Sequence, residues 1–319
     1  MSSVVFNGTS FVLPLIIIAI GGIYSERSGV NNLALEGFAG FGAFSGGLVV
    51  VLLSGASANP PAWMFWLSFV GAALGGALFS LLHALLCLRF KANHILSGVA
   101  LNVIALALVG LLIEQVNLDL YHTFSNFFQL PEAARLTLPN LSSVPLVGML
   151  FANAYAYAPV ITLLVLLAWY VLNHTSFGLR LRACGDNPEA VAATGVDVVR
   201  VRYQAVAISG ALAGFGGLCF AYSQHGRIST TIFMGFGYLA IAGMVLGNWR
   251  ILPTIGACAV FGFARSVVQH LALRYGIEYS MLDLAMAVPY ALVLLLIVYG
   301  YRSSTPPKAL GKHYEKNRL

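Results

Sequence analysis

Nine apolar runs punctuate the chain, at 4–24, 30–54, 63–88, 94–116, 158–174, 203–222, 233–247, 251–271 and 281–300. A helix needs about 17–25 apolar residues to cross the hydrocarbon layer of a bilayer. The pattern therefore predicts an all-α, polytopic transmembrane helical bundle. Broken or re-entrant segments among the runs set the expected count at eight to ten spans. The bundle reads as one membrane domain over 1–300, followed by a basic tail over 301–319 with Pro306 and Pro307, expected to be a flexible end. The longest polar gap is 117–157, with Pro131, Pro139 and Pro145; it has room for short surface helices.

The basic residues in the gaps give an orientation. One alternate set of gaps, together with the tail, holds thirteen Lys and Arg: Arg27, Arg89, Lys91, Arg180, Arg182, Arg200, Arg202, Arg250, Arg302, Lys308, Lys312, Lys316 and Arg318. The other set holds Arg135, Arg227 and Arg274, and Arg265 falls inside a run. Cytoplasmic loops carry the excess of Lys and Arg. This predicts that 175–202 and the tail are cytoplasmic and that 117–157 is extracytoplasmic.

Composition agrees with a lipid-covered protein. Of 319 residues, 59% are hydrophobic and 9% are charged, against about 25% charged in soluble domains. The formal charge of +6 does not point to nucleic acid, because the basic residues sit in short gaps between apolar runs. Cys87, Cys184, Cys219 and Cys258 stand far apart, so neither a disulfide framework nor a metal site is expected. The first basic residue follows the first apolar run, so no cleavable signal peptide is expected.

Within the cytoplasmic gap, Asn187 suits a helix N-cap and Pro188 the first helical position. Glu189 favours the positive helix end, and Gly195 can close the helix in the left-handed region. The predicted helix Pro188–Thr194 is too short to be stable alone in water. It must dock, either on its own domain or in a cleft of a cytoplasmic motor subunit. In the second case Arg180 and Arg182 would meet acidic residues there.

The stretch Thr175-Ser-Phe-Gly-Leu-Arg-Leu-Arg-Ala-Cys-Gly-Asp-Asn-Pro-Glu-Ala-Val-Ala-Ala-Thr-Gly195 resembles the coupling loop of permease subunits of nucleoside-type ABC importers. These belong to a wider group with the ribose and branched-chain amino-acid permeases. Similar too are 21–37, 92–102, 202–217 and Pro307-Lys-Ala-Leu-Gly-Lys312. The chain departs from the pattern at Asn31 and Ala34, where the family usually has valine and glycine, and at Asn248, where it often has lysine. The resemblance implies a type II importer-like permease in the cell membrane that moves a nucleoside or similar small solute. It implies three partners: a cytoplasmic ABC ATPase, a second and related permease chain, and an extracytoplasmic substrate-binding protein. Arg180, Arg182, Asp186, Asn187, Pro188, Glu189 and Gly195 would form the coupling surface. No cofactor is implied.

Intramembrane polar residues mark solute pathways or interhelical hydrogen bonds. Candidates are Asn31, Asn32 and Glu36 around the second run, and Asn93, Ser97 and Asn102 at the start of the fourth. Glu26 and Arg27 read as a solvated interfacial pair. The short, glycine-interrupted run 233–247 is of the kind that lines transport paths; there Phe236 and Tyr238 could stack on a base and Gln224 could hydrogen-bond one. Glycine pairs four apart, such as Gly42/Gly46 and Gly210/Gly214, predict close helix packing. The chain lacks a G-x-x-x-x-G-K-[ST] phosphate loop, so ATP would be bound by another chain. His83, Asp283 and Arg265 are scattered polar residues of the membrane. Alternative readings are a permease for riboflavin or a simple sugar, an ion-coupled secondary transporter, and an intramembrane enzyme using His83 or Asp283.

Overall fold

A computed structural model describes residues 2–54, 61–136, 154–230, 233, 235–276, 287, 290–291, 294–295, 298 and 305–314. Most of the run 281–300 and Asp283 lie outside the described residues, as do Pro139 and Pro145 of the long gap.

The described chain is helical nearly throughout. Helices α1 (Ser2–Arg27), α2 (Leu35–Ser54), α3 (Ala62–Ala84) and α4 (His94–Tyr121) come first, with a π-helical turn at Leu85–Arg89. Then follow α5 (Tyr157–His174), α6 (Ser176–Asp186), α7 (Pro188–Ala193) and α8 (Val198–Phe220), which runs into a second π turn at Ala221–His225. Two more, α9 (Phe236–Leu246) and α10 (Ile251–Arg274), complete the described helices. Seven of these helical stretches are long and apolar enough to cross a membrane, and α9 is a shorter apolar helix. At 1.5 Å per residue, its eleven residues cover about half the hydrocarbon layer.

The run 30–54 becomes helical only from Leu35, because 28–34 form a turn held from several sides. Gly29 takes φ +96°. The Asn31 amide donates to His94 Nδ1 at 3.2 Å, and the Asn32 amide to Glu26 Oε1 at 3.2 Å.

Helix α8 is the most deeply buried span and α5 the least. Glycines let α8 approach its neighbours: a Cβ on Gly214 would lie 2.3 Å from the Ala72 carbonyl oxygen. Such backbone-to-backbone approach replaces the hydrophobic drive that is absent between helices in lipid. The outward faces of α3, α4 and α5 carry exposed Leu74, Leu78, Leu111, Leu163 and Leu166, as a lipid-facing surface requires.

The two sets of gaps gather at separate places. β1 (Phe127–Gln129) pairs antiparallel with β4 (Arg227–Ser229), and β2 (Arg135–Leu136) with β3 (Ala154–Tyr155). Within the gap 117–157 the described residues include the end of α4 and three short strands, and 137–153, where short surface helices would have room, lie outside the described residues. Phe128 of β1 is buried and stacks on Phe44 of α2 with centroids 6.0 Å apart, which seats the strand pair on the bundle. In the other set, the Arg27 guanidinium donates to the Trp249 carbonyl at 3.3 Å, and the Ala309 amide donates to the Gly185 carbonyl at 2.8 Å. The tail, expected to be a flexible end, is therefore docked over 305–314.

Candidate functional site

The polar membrane residues separate into three groups. The first surrounds the α1–α2 turn. Glu26 is buried, not part of a solvated pair with Arg27. Its Oε2 accepts from the Trp249 indole at 2.6 Å and its Oε1 from the Asn32 amide. Asn32 Nδ2 donates to Ser209 Oγ at 2.9 Å. His83 bridges Ser97 Oγ, at 3.0 Å, and the Asn31 carbonyl, at 2.9 Å. Asn93 is exposed and caps α4, accepting from the amides of Ile95 and Leu96. It shapes the helix start and does not join Ser97 in the interior. Asn31 Oδ1, Asn32 Oδ1 and His94 Nε2 are buried without a hydrogen-bond partner among the described residues, which points to water or a polar solute there.

The second group centres on the start of α9. Glu36 accepts from the amides of Gly235, at 2.8 Å, and Gly237. Free amides and the helix dipole make a helix N-terminus a carboxylate site. Asn102 Oδ1 accepts from the Gly37 amide at 2.8 Å, while its Nδ2 donates to the Leu33 carbonyl and to Tyr238 Oη, each at 2.8 Å. Glu36, Asn102 and Tyr238 thus bind the short helix α9 to α2 and α4. Tyr238 itself is 47% exposed.

The third group lines a polar cavity of about 160 Å³ between α1, the second π turn and α10. Arg265 and Gln224 meet there, and Asn7, Ser10 and Gln269 also line it. Arg265 Nη1 donates to Gln224 Oε1 at 3.0 Å. Its Cζ lies 4.4 Å from the Phe11 ring centroid and 5.8 Å from that of Phe236. Phe236 stacks on Phe220 at 4.4 Å, and Phe11 meets both edge-on or tilted. Among the described residues no carboxylate neutralises Arg265. The described lining of its cavity is otherwise aromatic rings, a glycine and uncharged donors and acceptors. Arg265 appeared in the sequence only as a scattered polar residue. The signal available was its place as a lone cation inside an apolar run.

The coupling candidates lie from α6 through α7 to the turn that follows α7. Asn187 Oδ1 accepts from the Ala190 amide at 3.1 Å and Pro188 opens α7. Gly195 has φ +82°. Val191 is buried against the main core, while Asp186, Asn187, Glu189 and Ala190 are exposed. Arg180 is exposed; Arg182 is half-buried and donates from Nε to the Gly178 carbonyl at 3.3 Å. Helix α7 therefore rests one face on its own domain and leaves the other free.

The family model for the permease component of branched-chain amino acid transport systems matches residues 4–297. The chain is 33% identical over 324 residues to the nucleoside ABC transporter permease protein of Lactococcus lactis subsp. cremoris, covering 99% of this chain and 97% of that protein. It is 33% identical over 314 residues to the guanosine ABC transporter permease protein of Bacillus subtilis, covering 97% and 95%. It is 34% identical over 256 residues to a putative glucose ABC transporter permease protein of Haloferax volcanii, covering 78% and 71%. No solved structure matches it significantly. A permease of this kind works with an ATPase and a substrate-binding partner, so the enzyme and ion-coupled readings fall away. The chain belongs to the branched-chain amino acid transport permease family: it is a multi-pass protein of the cell membrane and the permease component of an ABC importer.

Proposed function

We propose that this permease imports a nucleoside, with α7 as the contact to the ATPase and the Arg265–Gln224 cavity as a station on the solute path. The cavity supports the substrate class. A neutral, electron-rich heterocycle suits a wall of phenylalanine rings, a guanidinium stacked on them and the amides of Gln224 and Asn7. Two relatives with nearly full coverage bear nucleoside or guanosine permease names. The distribution of basic residues supports a cytoplasmic position for α6, α7 and the tail, with the cavity and strands at the extracytoplasmic end, where a binding protein delivers solute. A second, related permease chain completes the path.

The test is uptake of radiolabelled guanosine, adenosine and uridine by cells with and without the gene, in competition with glucose and riboflavin. Loss of nucleoside uptake in the deletion, restored by the gene, is the expected result. Gene-dependent uptake of glucose or riboflavin alone would replace the substrate reading and leave the permease assignment intact.

A further inference from the structure

We infer that the C-terminal segment 305–314 is a strap that holds the coupling hairpin, α6 and α7, against the α1–α2 turn, and that Arg202 is the positioning residue at its anchor. The inference rests on the reading of α7 as the ATPase contact.

Arg202 is fully buried. Its Nε donates to the Ser28 carbonyl at 3.0 Å, its Nη1 to the Lys312 carbonyl at 3.1 Å and its Nη2 to the Cys184 carbonyl at 3.4 Å. These carbonyls belong to three separate segments: the α1–α2 turn, the strap and the end of α6. A buried guanidinium is costly unless its donors are satisfied, so Arg202 ties the three segments to one arrangement. Losing the strap removes one of its three acceptors.

The strap makes further bonds of its own. Ala309 is buried and its amide donates to the Gly185 carbonyl at 2.8 Å. The Gly311 amide donates to the Gly29 carbonyl at 2.9 Å. The His313 ring lies 5.3 Å from that of His94, and Leu310 and Tyr314 pack on the main core. At its start, Thr305 donates from its amide to Asn248 Oδ1 at 2.9 Å, in the turn that follows the short helix α9.

These contacts fall at the root of α7. Gly185 precedes the Asn187 cap by two residues, and a Cβ there would lie 2.1 Å from the Arg27 carbonyl oxygen. A six-residue helix has little rigidity of its own. A push on its exposed face reaches the bundle only if the root does not yield. The strap supplies that rigidity, and through Asn248 it joins the coupling hairpin to the α9–α10 turn.

The test compares two strap variants in the complete importer, reconstituted in liposomes with guanosine as the probe. One ends the chain after Ser304. The other is Gly311→Val: Gly311 sits at φ +72°, so a β-branched residue strains the turn, and an added Cβ meets nothing within 4 Å. Expected are normal insertion and ATPase co-purification for Gly311→Val, an unchanged half-saturating guanosine concentration, and guanosine moved per ATP reduced about fivefold or more, the scale of a typical coupling free energy. A wild-type ratio in both variants overturns the strap. So does a Gly311→Val loss that appears only as poor insertion. Glu189→Lys, run alongside, separates the two readings. If it lowers the ratio while the strap variants do not, the strap alone fails. If it is silent in both ratio and co-purification, the coupling reading of α7 fails.

Discussion

Arg265 donates from Nη1 to Oε1 of Gln224 at 3.0 Å across the polar cavity. The bond joins α10 to the π turn that ends α8, and it fixes the guanidinium over Phe11. A π turn re-aims side chains and is frequent at functional sites; here it brings Gln224 to the cavity. Arg265→Met removes the donor and the charge. The half-saturating solute concentration should rise roughly tenfold, from loss of about 1.5 kcal/mol of charge-assisted bonding. Arg265→Lys should recover little, because an ammonium does not reproduce a planar guanidinium over a ring. Concentration-dependent uptake is the measurement. An unchanged half-saturation in both variants removes Arg265 from the path.

Glu36 holds the start of α9 through two backbone amides. Glu36→Gln keeps the size but turns an amide NH₂ toward one of those donors. A buried amide left unpaired costs about 1–3 kcal/mol. The purified complex should melt several degrees lower, and uptake should fall with it. A melting temperature equal to wild type contradicts a structural capping role.

The glycines divide into packed and free ones. Gly214 faces Ala72 and Gly42 at backbone contact, whereas Gly256 on α10 has nothing within 4 Å of an added Cβ. Gly214→Val should abolish accumulation of the protein in the membrane. Gly256→Ala should be neutral or stabilising by up to about 1 kcal/mol, from helix propensity alone. Membrane-fraction immunoblots and thermal melts read both.

Sidedness follows from the gap charges. In a background without Cys87, Cys184, Cys219 and Cys258, Phe124→Cys and Lys308→Cys place single thiols at exposed positions in opposite sets of gaps. An impermeant maleimide should label position 124 in intact cells and position 308 only after permeabilisation. The reverse pattern inverts the orientation.

Helix positions were legible because lipid leaves few alternatives to a long apolar helix. The run 203–222 became α8, and Asn187, Pro188 and Gly195 marked the ends of α7 correctly, since caps are local chemistry. Long-range partners were not legible. Glu26 looks interfacial until Trp249, 223 positions away, folds against it. The tail looks flexible because its two prolines and its lysines carry no sign of the carbonyls that receive it. Arg265 carried a signal, a lone cation within an apolar run, but its partner Gln224 is 41 positions distant. The sequence pattern alone does not pair them.

The exposed face of α7 is where motor and channel should meet. Val191 seats the helix on its own core, so substitutions on the opposite face leave that seat intact. Glu189 and Ala190 are both exposed there. Glu189→Lys reverses a charge in the first turn, where an acidic residue is favoured by the helix dipole by about 0.3–1 kcal/mol; that is too little to unfold a membrane bundle. Ala190→Trp adds bulk where a partner's cleft should close. A conformational change is driven only by a contact that differs between the two states, so damage to this face should act on coupling before it acts on stability. Both variants should insert at wild-type levels, lose uptake, and either release the ATPase subunit or leave it hydrolysing ATP without transport. Gly195→Val acts at the other end of the helix. An added Cβ there meets no atom within 4 Å, yet a β-branched residue at φ +82° is strained by on the order of 1 kcal/mol or more. Uptake, ATPase rate and co-purification should be measured on the same preparations. Wild-type uptake and co-purification in all three variants would show that α7 is only a connection between α6 and α8.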